Sequence, residues 1–180
     1  MRVFLAIDLP DVVGERLAAV ERELRPLSES ARWVSAASIH ITLKFIGEMK
    51  DERRTDLDSG LADLVWSHFP ITVRGVGFFP GARSPRVLWA GLHAAPLEGL
   101  AAEIDARLER QGFEREERAY RPHITLARAK TGRPDRRLVD AAARFADEDF
   151  GTFTADRFYL YQSLLRPGGS VYTKLQEYAL

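Results

Sequence analysis

The sequence predicts an α+β fold of two pseudo-symmetric lobes facing each other across a cleft. Helical and strand periods are interleaved along all 180 residues without the strict alternation of a doubly wound sheet. One tetrapeptide, His-Ile-Thr-Leu, occurs twice, at residues 40–43 and 123–126, once in each half. No linker-like or low-complexity stretch divides the chain, so residues 1–180 are expected to form one domain. Each tetrapeptide alternates polar and apolar residues, the pattern of a strand with one wet and one buried face. His40 and Thr42 should share a face, as should His123 and Thr125, while Ile41, Leu43, Ile124 and Leu126 face a core.

The elements follow in order. Residues 2–8 are mostly apolar and read as a central first strand. After Pro10, Val13, Leu17, Val20, Leu24 and Leu27 recur at steps of four and three, one helical face, and Pro26 marks the exit. Residues 28–38 read as a loop or a short strand around Trp33-Val34. The first motif strand runs to Phe45 or Ile46 and Gly47 ends it. A second helix is expected over 51–67, with Leu57, Leu61, Leu64 and Val65 inward. Residues 71–79 form a strand in which Gly75 and Gly77 signal a bulge or a close backbone approach. A Pro- and Gly-rich turn joins it to a strand over 86–92 as a hairpin. Leu97, Leu100, Ile104 and Leu108 define a third helix with Gly112 as its stop. Residues 113–120 are charged and irregular before the second motif strand. Residues 132–135 form a turn and 136–146 a short fourth helix. Residues 150–165 and 171–178 read as two strands joined by a turn over 166–170.

Composition narrows the chemistry. There is no cysteine, which removes disulfides, thiolate nucleophiles and cysteine-ligated metals. The first apolar run is too short for a signal peptide or a membrane span, so a soluble cytoplasmic protein is expected, with no membrane partner. The formal net charge of zero argues against broad, non-specific nucleic-acid binding. The stretch from Glu114 to Arg137 nevertheless holds eight basic residues (Arg115, Arg118, Arg121, Arg128, Lys130, Arg133, Arg136 and Arg137) against four acids. That excess suits a phosphate-bearing ligand on the second-motif side, although such runs also serve as solvated faces.

Two histidines facing each other suit a reaction that removes one proton and supplies another near neutral pH. Phosphodiester cleavage through a 2′,3′-cyclic phosphate is such a reaction and requires no metal. Thr42 and Thr125 stand where hydroxyls could donate to non-bridging phosphoryl oxygens. Arg128 could add a cation. It lies five residues after His123, an odd spacing that puts it on the opposite face unless the strand twists or ends first. Metal binding is the competing use of histidine, but neither motif has a second histidine beside it, and His68 and His93 stand alone and read as structural. Ser170 follows two glycines but belongs to an evident hairpin turn, so a serine nucleophile is not favoured. Phe4, Trp33, Phe45, Trp89 and Tyr161 could stack a base or simply fill a core.

The flanking residues carry a resemblance. RVFLAI at 2–7, HITLKFIG at 40–47, PRVLW at 85–89, RPHITLAR at 121–128 and LYQS at 160–163, with Pro167, Gly168 and residues 172–180, together resemble the two-histidine (2H) phosphoesterase superfamily. Within it they are similar to the RNA 2′,3′-cyclic phosphodiesterase branch, also named 2′-5′ RNA ligase. The likeness covers essentially the whole chain. It implies two antiparallel sheets lining a central cleft with helices outside. It implies hydrolysis of an RNA-terminal 2′,3′-cyclic phosphate to a 2′-phosphomonoester without metal or other cofactor, with reversible 2′-5′ ligation as a companion reaction. His40 would protonate the departing O3′ and His123 would activate water. Thr42, Thr125 and Arg128 would bind the phosphate. The partner would be an RNA end or a small cyclic nucleotide, and the chain a monomer. The alternative is a nucleotide-binding module that uses the same cleft without turnover.

Overall fold

The computed structural model describes residues 1–28, 30–35, 38–130, 135–167 and 169–180. β-branched isoleucine and threonine alternate in both motif segments, and both are strands: β3 (His40–Glu48) and β6 (His123–Ala129). Seven other strands are present among the described residues. They are β1 (Arg2–Asp8), β2 (Ala31–Trp33), β4 (Phe69–Phe79), β5 (Val87–His93), β7 (Asp149–Ala155), β8 (Arg157–Arg166) and β9 (Gly169–Ala179). The α-helices are α1 (Asp11–Leu24), α2 (Arg54–Leu61), α3 (Pro96–Arg110) and α4 (Arg136–Ala142). One sheet has the order β3-β1-β8-β9 and the other β2-β6-β5-β4-β7, with every pairing antiparallel.

The halves repeat each other: β1-α1-β3-α2 in the first, β5-α3-β6-α4 in the second. The helices cross over. α3 packs on β3 of the first sheet and α1 packs on β7 of the second. One apolar cluster therefore serves both sheets, joining Val3, Leu5, Ile7, Ile41 and Leu43 to Ile71, Val73, Leu88, Ile124 and Leu126, with Leu17, Leu24, Leu100, Ile104 and Leu108 from the helices. The motif strands come within 8 Å of one another in places, Cα to Cα. A second, small cluster of Phe4, Ala6 and Tyr161, with Tyr159 and Tyr172 packed against it, lies on the opposite face of the first sheet, the face that carries His40.

Four expectations change. The first motif strand does not stop at Gly47; that residue sits at φ +80° inside β3, a conformation that glycine adopts at little cost, and pairing continues to Glu48. The second helix is shorter: a 3₁₀ turn at Asp51–Arg53 leads into α2, which ends at Leu61. Asp56, Asp58, Ser59 and Gly60 hold a helix weakly, and the chain must reach β4 by Phe69. Val65, expected inward, is consequently 87 % exposed, while Leu57, Leu61 and Leu64 are buried. The expected strand over 150–165 is two strands in different sheets, broken at Asp156. Both sides of the break are rich in β-formers and no glycine or proline marks it, so local composition conceals the crossing. The short strand near Trp33 is present as β2 and covers the outer edge of β6. Arg133, Gly168 and most of the 132–135 turn lie outside the described residues.

Gly75 and Gly77 do what strand glycines do. The β4–β5 register shifts between Val73 and Val76, around Gly75. A Cβ on Gly77 would stand 2.4 Å from the Trp89 ring, so only glycine lets the indole lie flat on β4.

Candidate active site

Each motif histidine is oriented in the same way. The His40 Nδ1–H donates to the Ser38 carbonyl at 2.7 Å, and the His123 Nδ1–H donates to the Arg121 carbonyl at 2.7 Å. A carbonyl can only accept, so each Nδ1 carries a proton and each Nε2 is left to exchange one. Both rings are held from their own strand starts, by the residue two positions back, and this defines the tautomer in both lobes.

The surroundings differ. His40 stacks on Phe4 (centroids 4.7 Å apart) and meets the edge of Tyr172 at 5.2 Å. Phe4 in turn stacks on Tyr161 at 5.3 Å. Burial among these rings holds the His40 imidazole below its ordinary proton affinity; the Ser38 carbonyl and the Asp8 carboxylate oppose that effect without cancelling it. Asp8 lies directly opposite His40 on β1, accepts from the Tyr161 hydroxyl and pairs with Lys174. Lys174 also lies over the Tyr159 ring, 4.0 Å from its centroid. Burial, with Asp8 beside it, raises the Tyr161 phenol above its usual range and keeps it a donor. His123 is touched by Phe79 edge-on at 5.2 Å, and Phe79 packs against Trp89.

Arg128 is on the histidine face. In β6 the residues Thr125 and Ala127 are the partners of consecutive residues Trp89 and Leu88, which leaves Leu126 as an extra residue. This bulge turns Leu126 and Ala127 both inward, and parity flips, so Arg128 emerges beside Thr125 rather than behind it. β3 carries the same device: Thr42 and Lys44 pair with Ala6 and Leu5, Leu43 is extra, and Leu43 and Lys44 are both buried. The position matching Arg128 in the first lobe is Phe45, 57 % exposed and 6.1 Å from Phe4. The repeat thus offers a cation on one side and an aromatic ring on the other.

Thr42 and Thr125 are half-buried neighbours of their histidines along the strands. The Thr42 carbonyl accepts from the Tyr120 hydroxyl at 2.9 Å, which ties the segment leading into the second motif to the first. Lys44 makes a second tie behind the sheet, pairing with Asp105 of α3 and donating to the Glu114 carbonyl at 2.8 Å. Of the five aromatic candidates, Phe4 and Tyr161 are buried under His40 and Trp89 lies on Gly77; Phe45 alone among them is exposed. Arg115 from the basic stretch pairs with Asp105 and Glu109, so it is engaged by α3. His68 lies 3.2 Å from the Leu180 carbonyl, away from both motifs in sequence. Among the described residues no three of His, Asp and Glu converge as a metal-ligand set.

The sequence reading did not single out Asp8, Phe79, Tyr120, Tyr172 or Arg32. For Tyr172 a signal existed: Tyr159, Tyr161, Tyr172 and Lys174 alternate at the strand period on the last two strands. Arg32 sits in an alternating triplet, Ala31-Arg32-Trp33, where it could have been read as a strand residue facing away from the core.

The chain is similar over its whole length to known proteins. A Methanocaldococcus jannaschii protein named RNA 2′,3′-cyclic phosphodiesterase is 34 % identical over 178 residues, covering 99 % of this chain and all of that one. An Archaeoglobus fulgidus protein of the same name is 33 % identical over 98 % of both chains. Among solved structures, the Thermus thermophilus protein TT0787 superposes with TM-score 0.83 at 30 % identity, covering 100 % of this chain and 98 % of that one. Escherichia coli LigT complexed with 3′-AMP superposes with TM-score 0.81 at 28 % identity, covering 99 % and 97 %. A family model described as 2′-5′ RNA ligase superfamily matches residues 9–166, a span that takes in both histidine strands and the bulges behind them. With the family model matching most of its length and relatives similar to it from end to end, the chain belongs to the 2′-5′ RNA ligase superfamily.

Proposed function

We propose that this protein hydrolyses the 2′,3′-cyclic phosphate at an RNA end to a 2′-phosphomonoester, using its two motif histidines and no metal. The observation that carries the reading is the matched pair of rings, each with Nδ1 bound to a backbone carbonyl and Nε2 available on the same face as a threonine hydroxyl. Relatives named RNA 2′,3′-cyclic phosphodiesterase support the substrate class.

His123 Nε2 takes a proton from water, whose oxygen attacks phosphorus opposite O3′. The P–O3′ bond breaks, and His40 Nε2–H protonates the departing O3′, leaving the phosphate on O2′. Thr42 and Thr125 donate to the non-bridging oxygens and Arg128 adds positive charge alongside. Exchange with solvent then returns each histidine to its starting state. Replacing water by the 5′-hydroxyl of a second RNA gives a 2′-5′ linkage by the same displacement, which is the companion ligation. His40 is below its ordinary proton affinity in the free protein, and the negative phosphate arriving beside it favours the charged form that an acid must start from. One domain of two lobes holds both halves of this site on strands, which keeps the geometry stiff. The partner is an RNA end or a small cyclic nucleotide, and the unit is a monomer in the cytoplasm. Among the described residues no helix is long and apolar enough to cross a membrane.

The test is incubation with a short RNA ending in a 2′,3′-cyclic phosphate in the presence of EDTA, with the product's phosphate position identified. His40→Ala and His123→Ala should each lower the rate by about 10²–10⁴-fold. A 3′-phosphate product, an EDTA-sensitive rate or normal turnover in either variant would refute the reading.

A further inference from the structure

Arg32 is the partner of Arg128 across the β2–β6 pairing, directly opposite it in register. Residues directly opposite on antiparallel strands share a face, with Cβ atoms about 4.5–5.5 Å apart. Trp33 and Ala127, the next pair, turn toward the core, so Arg32 and Arg128 both turn outward on the face that holds His123 and Thr125. Both arginines are exposed, and among the described residues neither has a hydrogen-bonding or ion-pair partner. By contrast, Arg53, Arg54, Arg107, Arg115, Arg144 and Arg157 all meet carboxylates. Like charges directly opposite each other cost stability in a sheet, and an anion between them reverses that cost. β2 is only three residues long, and it sets this one guanidinium beside Arg128.

We propose that Arg32, acting with Arg128, binds a second phosphate of the substrate, the one on the 5′ side of the reacting nucleotide. The inference rests on the reading above for the position of the reacting phosphate. A cyclic phosphate closes the 3′ end of its strand, so any further phosphate must lie on the 5′ side of the terminal ribose. Arg128 is three residues beyond Thr125, about 10 Å along the strand. Arg128 therefore reaches from the reacting phosphate toward the next one, and Arg32, opposite it on the edge strand β2, stands a nucleotide-scale step from the reacting group. Two forked donors match the two non-bridging oxygens of a phosphodiester. The pair makes the protein a reader of strand ends rather than of mononucleotides.

The experiment compares a nucleoside 2′,3′-cyclic phosphate with a dinucleotide ending in the same cyclic phosphate, in the wild type, Arg32→Gln and Arg32→Lys. Wild type should favour the dinucleotide in kcat/KM by about tenfold or more. Arg32→Gln should lose about tenfold of that ratio through KM, and Arg32→Lys should keep part of it. The salt dependence for the dinucleotide should flatten in Arg32→Gln by about 0.7 in log–log slope, one phosphate contact on a single strand. An unchanged ratio, or equal losses on both substrates, would overturn the proposal. If wild type turns over neither substrate, the functional reading fails, and equilibrium binding of the dinucleotide and mononucleotide 2′-phosphates judges the site alone. An Arg32-dependent preference for the dinucleotide there supports the site, and its absence overturns it.

Discussion

Glu21 offers a stability test that is independent of the chemistry. It lies in the last turn of α1, 3 % exposed; among the described residues Oε1 has no hydrogen-bond partner, and Oε2 is 3.8 Å from Arg25. Burial raises its carboxyl from 4.5 to about 7, and the Arg25 charge only partly opposes this. The folded state therefore holds a proton that the unfolded state releases between those values. Stability from this group is complete below pH 4.5 and is lost as pH rises through 7. The 2.5-unit difference corresponds to about 3 kcal/mol. Glu21→Gln keeps the shape and removes the titration. Urea unfolding of both proteins at several values from pH 4.5 to 8.5 gives their stability difference, in which His40 and every other shared group cancels. The wild type should lose about 3 kcal/mol relative to the variant across that range, or about 6–12 °C in Tm. A difference that stays flat with pH would show that Glu21 is already ionised, and the reasoning from burial would be wrong.

Three other outcomes follow from the site. Tyr172→Ala exposes one edge of His40, so His40 should regain proton affinity; the alkaline limb of kcat/KM, below 6.5 in wild type because the acid must be protonated, should move up, and a limb that does not move would separate His40 from that role. Gly77→Ala puts a methyl 2.4 Å from the Trp89 ring, and denaturant unfolding should show a loss of about 1–3 kcal/mol, with a fall in kcat because Trp89 lies opposite Thr125. Lys44→Ala leaves Asp105 without its buried partner behind the first motif strand and should cost about 3 kcal/mol in the same assay; a loss below about 1 kcal/mol would mean that Arg115 replaces it.

The tie between Tyr120 and the Thr42 carbonyl shows how the lobes depend on one another. The hydroxyl is a neutral donor, since burial raises the phenol above its usual range, and it joins the segment entering the second motif to the backbone of the first. The crossing of α1 and α3 onto the opposite sheets does the same on a larger scale. The first motif strand is thus held from behind by α3 of the other half, and a single apolar cluster spans both sheets.

Features that depend on near neighbours were legible in the chain before it folded. The period-2 alternation of His40-Ile41-Thr42-Leu43 and its copy predicts which face each histidine shares with a threonine, and the structure agrees. The spacing of Val13, Leu17, Val20 and Leu24 predicts α1, and that of Leu97, Leu100, Ile104 and Leu108 predicts α3. Features that depend on a partner strand were not. Arg128 joins His123's face because β5 admits an extra residue at Leu126, and no feature of β6 alone announces a shift in register. Arg32 becomes its neighbour only because β2 pairs with β6 from far away in the sequence. The break at Asp156 exists because the two flanking segments bond to different sheets, although both have the composition of one continuous strand. The His40 nest draws one ring each from β1, β8 and β9. Propensity and period act over a few residues, whereas register, bulges and sheet membership are settled by hydrogen bonds to distant segments. The side chains of the candidate site were therefore legible as a pattern, and their electrostatic surroundings became legible only in the fold.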